Sequence, residues 1–169
     1  MAVSPELVEE RLQPEVVQAL RRPHLSVLAT AGLDGYPATT LVSWIYGHDE
    51  TRLVIALDRR GLAYANVLEN ANCALEVLVK GFVATLRGRA TILRDQLAHA
   101  PFPCAAVLFE LEEIREHGVA GVAINPATYH FEATNGRYAE TEAAIIAELS
   151  AISSRSAAAA AIRQATAVD

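Results

Sequence analysis

Residues 52–68 read RLVIALDRRGLAYANVL, and the fold turns on how this stretch divides. Arg52 to Leu57 is an almost wholly apolar run of strand-forming composition. Asp58, Arg59, Arg60 and Gly61 interrupt it. Leu62, Tyr64 or Ala65, and Leu68 then recur at helical spacing, and the pattern ends near Asn70 to Asn72. A strand that passes through a basic loop into a short helix sets exposed backbone N–H groups beside two guanidinium groups. A phosphate requires that combination of donors and positive charge.

Upstream, the period is two. Leu25, Val27 and Ala29 alternate with Ser26, Leu28 and Thr30 in a first strand. Gly32 to Gly35 turns the chain, and Tyr36 to Tyr46 reads as a second strand rich in β-branched and aromatic residues, closed by the polar turn Gly47 to Glu50. With Arg52 to Leu57 as the third, no helix-length insert separates these strands, so they read as sequential antiparallel neighbours. At the N-terminus, Ser4, Pro5 and Glu6 form a helix start. Leu7, Val8, Leu12, Val16, Val17 and Leu20 follow at helical spacing, with Pro14 dividing the segment.

Downstream of the short helix, Cys73 to Val79 is a fourth strand, Lys80 and Gly81 turn, and Phe82 to Leu93 is a fifth with clean alternation. Phe82, Ala84, Leu86, Gly88, Ala90 and Ile92 share one face; Val83, Thr85, Arg87, Arg89, Thr91 and Leu93 share the other. Asp95 to Pro103 is a connector. Ala105, Val107, Phe109 and Leu111 alternate through a sixth strand, and Thr128 to Ala133 suggests a short seventh. Thr141 suits the cap of a closing helix striped by Ile145, Ile146, Leu149 and Ile152, before an Ala-rich tail. The domain reading is one unit over residues 1–153, with a helical segment at 1–22, the closing helix at 141–153 and the tail at 154–169. Such a set is too small for a two-sheet sandwich and suits a small barrel.

Composition narrows the function. The 169 residues carry a formal net charge of −6, and Lys80 is the lone lysine. No basic stripe of the kind a duplex binder needs is present, so nucleic acid is not expected. Apolar runs fall short of the about 20 residues that cross a bilayer, and no leader pattern opens the chain, so a cytoplasmic protein away from membranes is expected. Cys73 and Cys104 read as reduced, packed thiols. His48, Asp49 and Glu50 occupy a turn where polar residues are the rule, His117 and His130 lack ligand spacing, and no nucleophile–base motif can be read. No metal site follows.

Three features in this order resemble the pyridoxamine 5′-phosphate oxidase-like, FMN-binding split-barrel family: the Asp34-Gly35-Tyr36-Pro37 turn with the strand to Trp44, the apolar strand Leu53 to Leu57, and Asn66-Val67-Leu68-Glu69-Asn70-Ala71-Asn72-Cys73-Ala74-Leu75. The resemblance covers roughly Leu25 to Leu93. It implies a mainly β chain with flanking helices, a six- to seven-stranded antiparallel split β-barrel, and an FMN-dependent oxidoreductase whose flavin lies at a homodimer interface and meets a small-molecule substrate. The family's usual lysine falls here on Ala63 and its usual proline on Ala71. Arg59 and Arg60 are therefore the residues for the flavin phosphate, flanked by Tyr64 and Asn66. The ring surface implied by the family comprises Thr39, Thr40, Leu41, Val42 and Ser43 with Ile55, Ala56 and Leu57, and Arg87 with Arg89 would reach across the interface. Trp44 is expected as a core or interface anchor. The alternatives are a non-catalytic module of the same fold that takes haem, deazaflavin or another ligand, and a flavin-less dimeric protein.

Overall fold

The computed structural model describes residues 9–132 and 136–166. Its strands are β1 (Ser26–Ala31), β2 (Pro37–Val42), β3 (Ile45–Gly47), β4 (Arg52–Asp58), β5 (Asn72–Val79), β6 (Phe82–Arg94) and β7 (Cys104–Glu116), and its helices are α1 (Pro14–Ala19), α2 (Leu62–Glu69) and α3 (Gly136–Thr166). The strands pair antiparallel in one seven-stranded sheet ordered β2-β1-β5-β6-β7-β4-β3. The chain is mainly β, and the sheet forms a curled half-barrel with helices packed around it.

The curl follows from the strand order. β2 and β3 occupy opposite edges of the sheet, yet only Ser43 and Trp44 separate them in sequence. Six inter-strand gaps would put the edges of a flat sheet about 29 Å apart, whereas three residue steps reach about 11 Å. The sheet must therefore bend until its edges meet. The stretch Tyr36 to Tyr46, expected as one strand, is in fact two strands hinged at this corner. The reason is visible in the inward residues: Ala38, Thr40 and Val42 lie opposite the inward positions of β1, while Ile45 is the next buried side chain. Two-residue alternation slips by one there, so the chain changes edge.

Inside the curl lies the larger core, which takes Leu28 from β1, Leu53, Ile55 and Leu57 from β4, Leu75 and Val77 from β5, Ala84 and Leu86 from β6, and Val107 and Phe109 from β7. β6 buries the expected face. Gly88 sits on that face opposite a bulge: Arg87 pairs with Glu113 while Gly88 pairs with Leu111, leaving Glu112 as the extra residue. A Cβ on Gly88 would lie 2.1 Å from the Glu110 carbonyl oxygen.

A second apolar layer lies outside β4 and β7. Val54, Ala56 and Ala106 meet Ile145, Leu149 and Ile152 of α3, with Trp44, Tyr46 and Phe102 at its margin. Burying each such aliphatic side chain of α3 is worth about 1.5–3 kcal/mol. The expected apolar stripe is thus the docking face. The helix begins at Gly136, which places Thr141 inside it, and it continues through the Ala-rich stretch to Thr166, as the helix propensity of alanine favours.

Two further local readings change. The start at Ser4 lies outside the described residues, and the chain between Glu9 and Gln13 is not helical: Glu9 bridges to Ile114 and the Leu12 N–H donates to the Glu50 carbonyl. Among the described residues of this segment the helix is Pro14–Ala19, because proline fits the first helical position and disfavours helix in the residue before it. Thr128 to Ala133 is not a strand in its described part. Ala127 alone bonds the sheet, accepting from Leu25 and donating to Leu78, after which the chain leaves to pack Tyr129 and Phe131 beside α3. Among the described residues no helix is long and apolar enough to cross a membrane.

Candidate functional site

The β2–β3 corner, the end of β4 and the segment before β7 enclose a groove of about 190 Å³. Thr40, Leu41, Val42 and Ser43 form one wall and Ala56 and Leu57 the floor. Six of the eight residues assigned to the ring surface therefore come together. Thr39 lies beside them, exposed on the outer face of β2, and Ile55 points into the barrel core, away from the groove.

Four groove residues were not anticipated: Trp44, Asp58, Phe102 and Cys104. Trp44 and Phe102 stack with ring centroids 5.6 Å apart, which closes one end of the groove. Phe102 comes from the connector, whose only sequence signal was an aromatic residue held between Pro101 and Pro103. Glu148 of α3 fixes that connector by accepting from the Ala98 and His99 N–H groups at 2.9 and 3.2 Å. Its carboxyl is held below the usual range by these bonds, which outweigh the opposing effect of burial.

The basic loop follows at the end of β4. Arg60 donates to Asp58 through Nε and Nη2 at 2.9 and 2.7 Å, and its guanidinium lies 5.3 Å over the Phe102 ring. These bonds hold the Asp58 carboxyl down at about 2. Arg60 is thus already engaged by a neighbour. The Arg59 N–H donates to the Pro103 carbonyl, and its guanidinium lies 5.8 Å over the Tyr64 ring with no carboxylate partner among the described residues. Arg59 is the cation available to an incoming anion.

α2 begins at Leu62, preceded by Gly61, which offers no side-chain cap to its first N–H groups. Those donors and Arg59 stand together at one point of the chain, an arrangement suited to phosphate or carboxylate. Ala63, at the family's lysine position, is buried. Asn66 faces elsewhere: its amide donates to Thr30 at 3.0 Å, and Asn70 donates to the Ala31 carbonyl. Both asparagines brace α2 against β1. A Cβ on Gly32 would lie 2.8 Å from the Asn66 Oδ1, so the turn passes close to this brace.

Arg87 and Arg89 project from the outer face of β6, where Arg87 pairs with Glu113 at 2.7 Å and Arg89 donates to Asn72 at 3.1 Å. Neither lines the groove of its own chain. Both cysteines are free; burial pushes the Cys73 thiol up to about 12 and that of Cys104 up to about 11, the latter helped by Asp58. In the Gly47–Glu50 turn, Asp49 is taken by Arg52 and Thr51. Among the described residues no three metal-ligating side chains cluster.

The fold and the loop-to-helix site define a split-barrel protein. Comparison with known proteins gives the family: the one described as pyridoxamine 5′-phosphate oxidase matches residues 12–166, and the chain belongs to it. Among curated proteins none matches this chain. Solved structures of similar fold include HupZ from Group A Streptococcus, at 15% identity over 70% of this chain and 99% of that one, TM-score 0.53. A candidate pyridoxamine 5′-phosphate oxidase from Lactobacillus delbrueckii matches at 20% identity over 63% of this chain and 95% of that one, TM-score 0.51. An FMN-binding protein from Syntrophomonas wolfei follows at 14% identity, covering 62% and 88%, TM-score 0.46. For the first two, at these identities, the likeness is one of fold.

Proposed function

We propose that the protein binds FMN and serves as a cytoplasmic oxidoreductase toward a small-molecule substrate, with each flavin held between two copies of the chain. The observation that carries this reading is that the groove ends at Asp58, directly before Arg59, which has no carboxylate partner among the described residues, and the uncapped start of α2. Arg59 and the first N–H groups of α2 would hold the phosphate. Thr40, Leu41, Val42 and Ser43, with Ala56 and Leu57, would face the ring, and Arg60 would join once released from Asp58. FMN when bound supplies electron or hydride transfer; the chain's part is to bind and orient it.

The groove of one chain, about 190 Å³, is smaller than the ligand sites of about 300–1,000 Å³ found in proteins generally. That deficit supports a homodimer, in which Arg87 and Arg89 on the exposed face of β6 are the residues offered to the partner's flavin. Two free thiols, Cys104 buried and Cys73 half-buried, suit a reducing compartment.

The test is a titration of the purified full chain with FMN and with riboflavin, followed by absorbance and flavin fluorescence. Arg59→Ala should weaken FMN about tenfold more than riboflavin, because the lost charge-assisted bond is made only to the phosphate. Equal losses would remove the phosphate from Arg59. A protein that refuses added FMN, or shows a Soret band as isolated, would overturn the flavin reading, and one that prefers a deazaflavin would redirect it.

A further inference from the structure

Apart from the groove, a cavity of about 700 Å³ lies between β3, the segment Tyr129–Phe131 and α3. The helix sequence opens it. Ala139, Ala143 and Ala147 recur every four residues and so share one face, and their short side chains leave space that longer ones would fill. The walls are mostly apolar and partly aromatic, from Tyr46, Tyr129 and Phe131, with the two tyrosine and phenylalanine rings of the segment meeting edge to face at 5.7 Å.

Two opposite charges face this space. Glu142 is only 7% exposed, and among the described residues its one partner is the Tyr129 hydroxyl, which donates to Oε1. Oε2 has no donor, and no arginine, lysine or histidine of the described residues lies within ion-pair distance of the carboxylate. Most of the side chain is buried, whereas Oε2 is not sealed from solvent, so an incoming cationic group could reach the lone pairs that Tyr129 leaves open. Burial and Glu142 keep the Tyr129 phenol well above its ordinary range, so it stays a donor.

Arg21 supplies the other charge. Its Nε and Nη2 donate to the Gly47 and His48 carbonyls at 2.7 and 2.8 Å, which fixes the guanidinium 5.2 Å over the Tyr46 ring. Nη1 has no acceptor among the described residues. A carboxylate and a guanidinium that line one apolar, aromatic cavity without pairing with each other are complementary to a molecule carrying both signs of charge on an apolar body.

We propose that this cavity is a binding site for a small zwitterion with an aromatic or bulky apolar body, its ammonium on Glu142 and its carboxylate on Arg21. The site uses none of the residues assigned to the flavin phosphate, so it stands whether or not FMN binds. A latch between Tyr129 and α3 would need only one carboxylate oxygen and would explain neither the free Oε2 nor the space before it.

The test is isothermal titration calorimetry of the full chain with L-phenylalanine, with phenethylamine, which lacks the carboxylate, and with 3-phenylpropionate, which lacks the ammonium. Saturable binding is expected for L-phenylalanine, tighter than for either analogue. Glu142→Gln keeps an acceptor for Tyr129 and so keeps the segment in place; it should weaken L-phenylalanine and phenethylamine about tenfold and leave 3-phenylpropionate unchanged. Arg21→Gln should do the reverse, and circular dichroism checks that it folds. The proposal is overturned if none of the three probes saturates, if Glu142→Gln binds L-phenylalanine as wild type does, or if phenethylamine binds as tightly as the zwitterion.

Discussion

Gly88→Ala tests the architecture at its tightest point. The added methyl would sit 2.1 Å from the Glu110 carbonyl oxygen and 3.0 Å from the Phe109 ring, against about 3.4 Å for ordinary contact. β6 and β7 would have to separate locally by about 1.3 Å, which stretches neighbouring ladder hydrogen bonds beyond bonding distance. Losing two of these costs about 2 kcal/mol at about 1 kcal/mol each. Pressing on the fully buried Phe109 adds about 1–3 kcal/mol of overpacking. The reduced freedom of the unfolded chain returns about 0.4–1 kcal/mol. The net expectation is a loss of about 3 kcal/mol, or about 6–12 °C in melting temperature for a domain of this size. Urea unfolding followed by circular dichroism, and by the fluorescence of Trp44, the chain's only tryptophan, measures it. Gly118→Ala is the control, since a Cβ there meets nothing within 4 Å, and it should stay within about 0.5 kcal/mol of wild type. If Gly88→Ala is as stable as that control, the close approach of the two strands is not real and the bulge at Glu112 has been misplaced.

Asp58→Asn should tighten FMN about two- to fivefold and leave riboflavin unchanged, because an exposed ion pair of modest strength no longer competes for Arg60. The Asp58 carboxyl is depressed from 3.8 to about 2, so the pair is complete above its ordinary range and is lost only as pH falls through about 2. The gain from Asp58→Asn should accordingly be flat around neutral pH; a steep dependence there would assign it to another group. The thiols at about 11 and 12 should label slowly with a disulfide reagent at pH 8 and promptly on unfolding. Stoichiometric labelling of the native protein within the mixing time would contradict the burial of Cys104.

The strands were legible wherever one face meets the core. β6 is the clearest case, because a strand with one covered face must alternate, and Phe82 through Ala90 do. The connection between β2 and β3 was not seen, since neither Ser43 nor Trp44 is a residue that breaks strands. The one trace is the odd spacing between the buried Val42 and Ile45. Thr128 to Ala133 has strand composition, but composition does not reveal that Ala127 spends the available bonds and that Tyr129 then leaves for Glu142. At the candidate site the basic loop was legible as charge, while its division of labour was not. That Arg60 folds back on Asp58 and Arg59 does not depends on the local curl of the loop. Phe102 was invisible because a connector's position is set by what anchors it, here Glu148, some 46 residues later in the chain.

The two-residue step at Ser43 and Trp44 also limits how this chain can change in length. Surface turns such as those at Gly35 and Gly81, where a Cβ would meet only open space, can lengthen at small cost. An extra residue between Val42 and Ile45 would instead turn β3 over against β4, putting Trp44 and Tyr46 where Ile45 now fills the core. Descendants of this sequence can therefore vary their rim freely, whereas an insertion at the seam would have to be matched by a deletion within the same few residues.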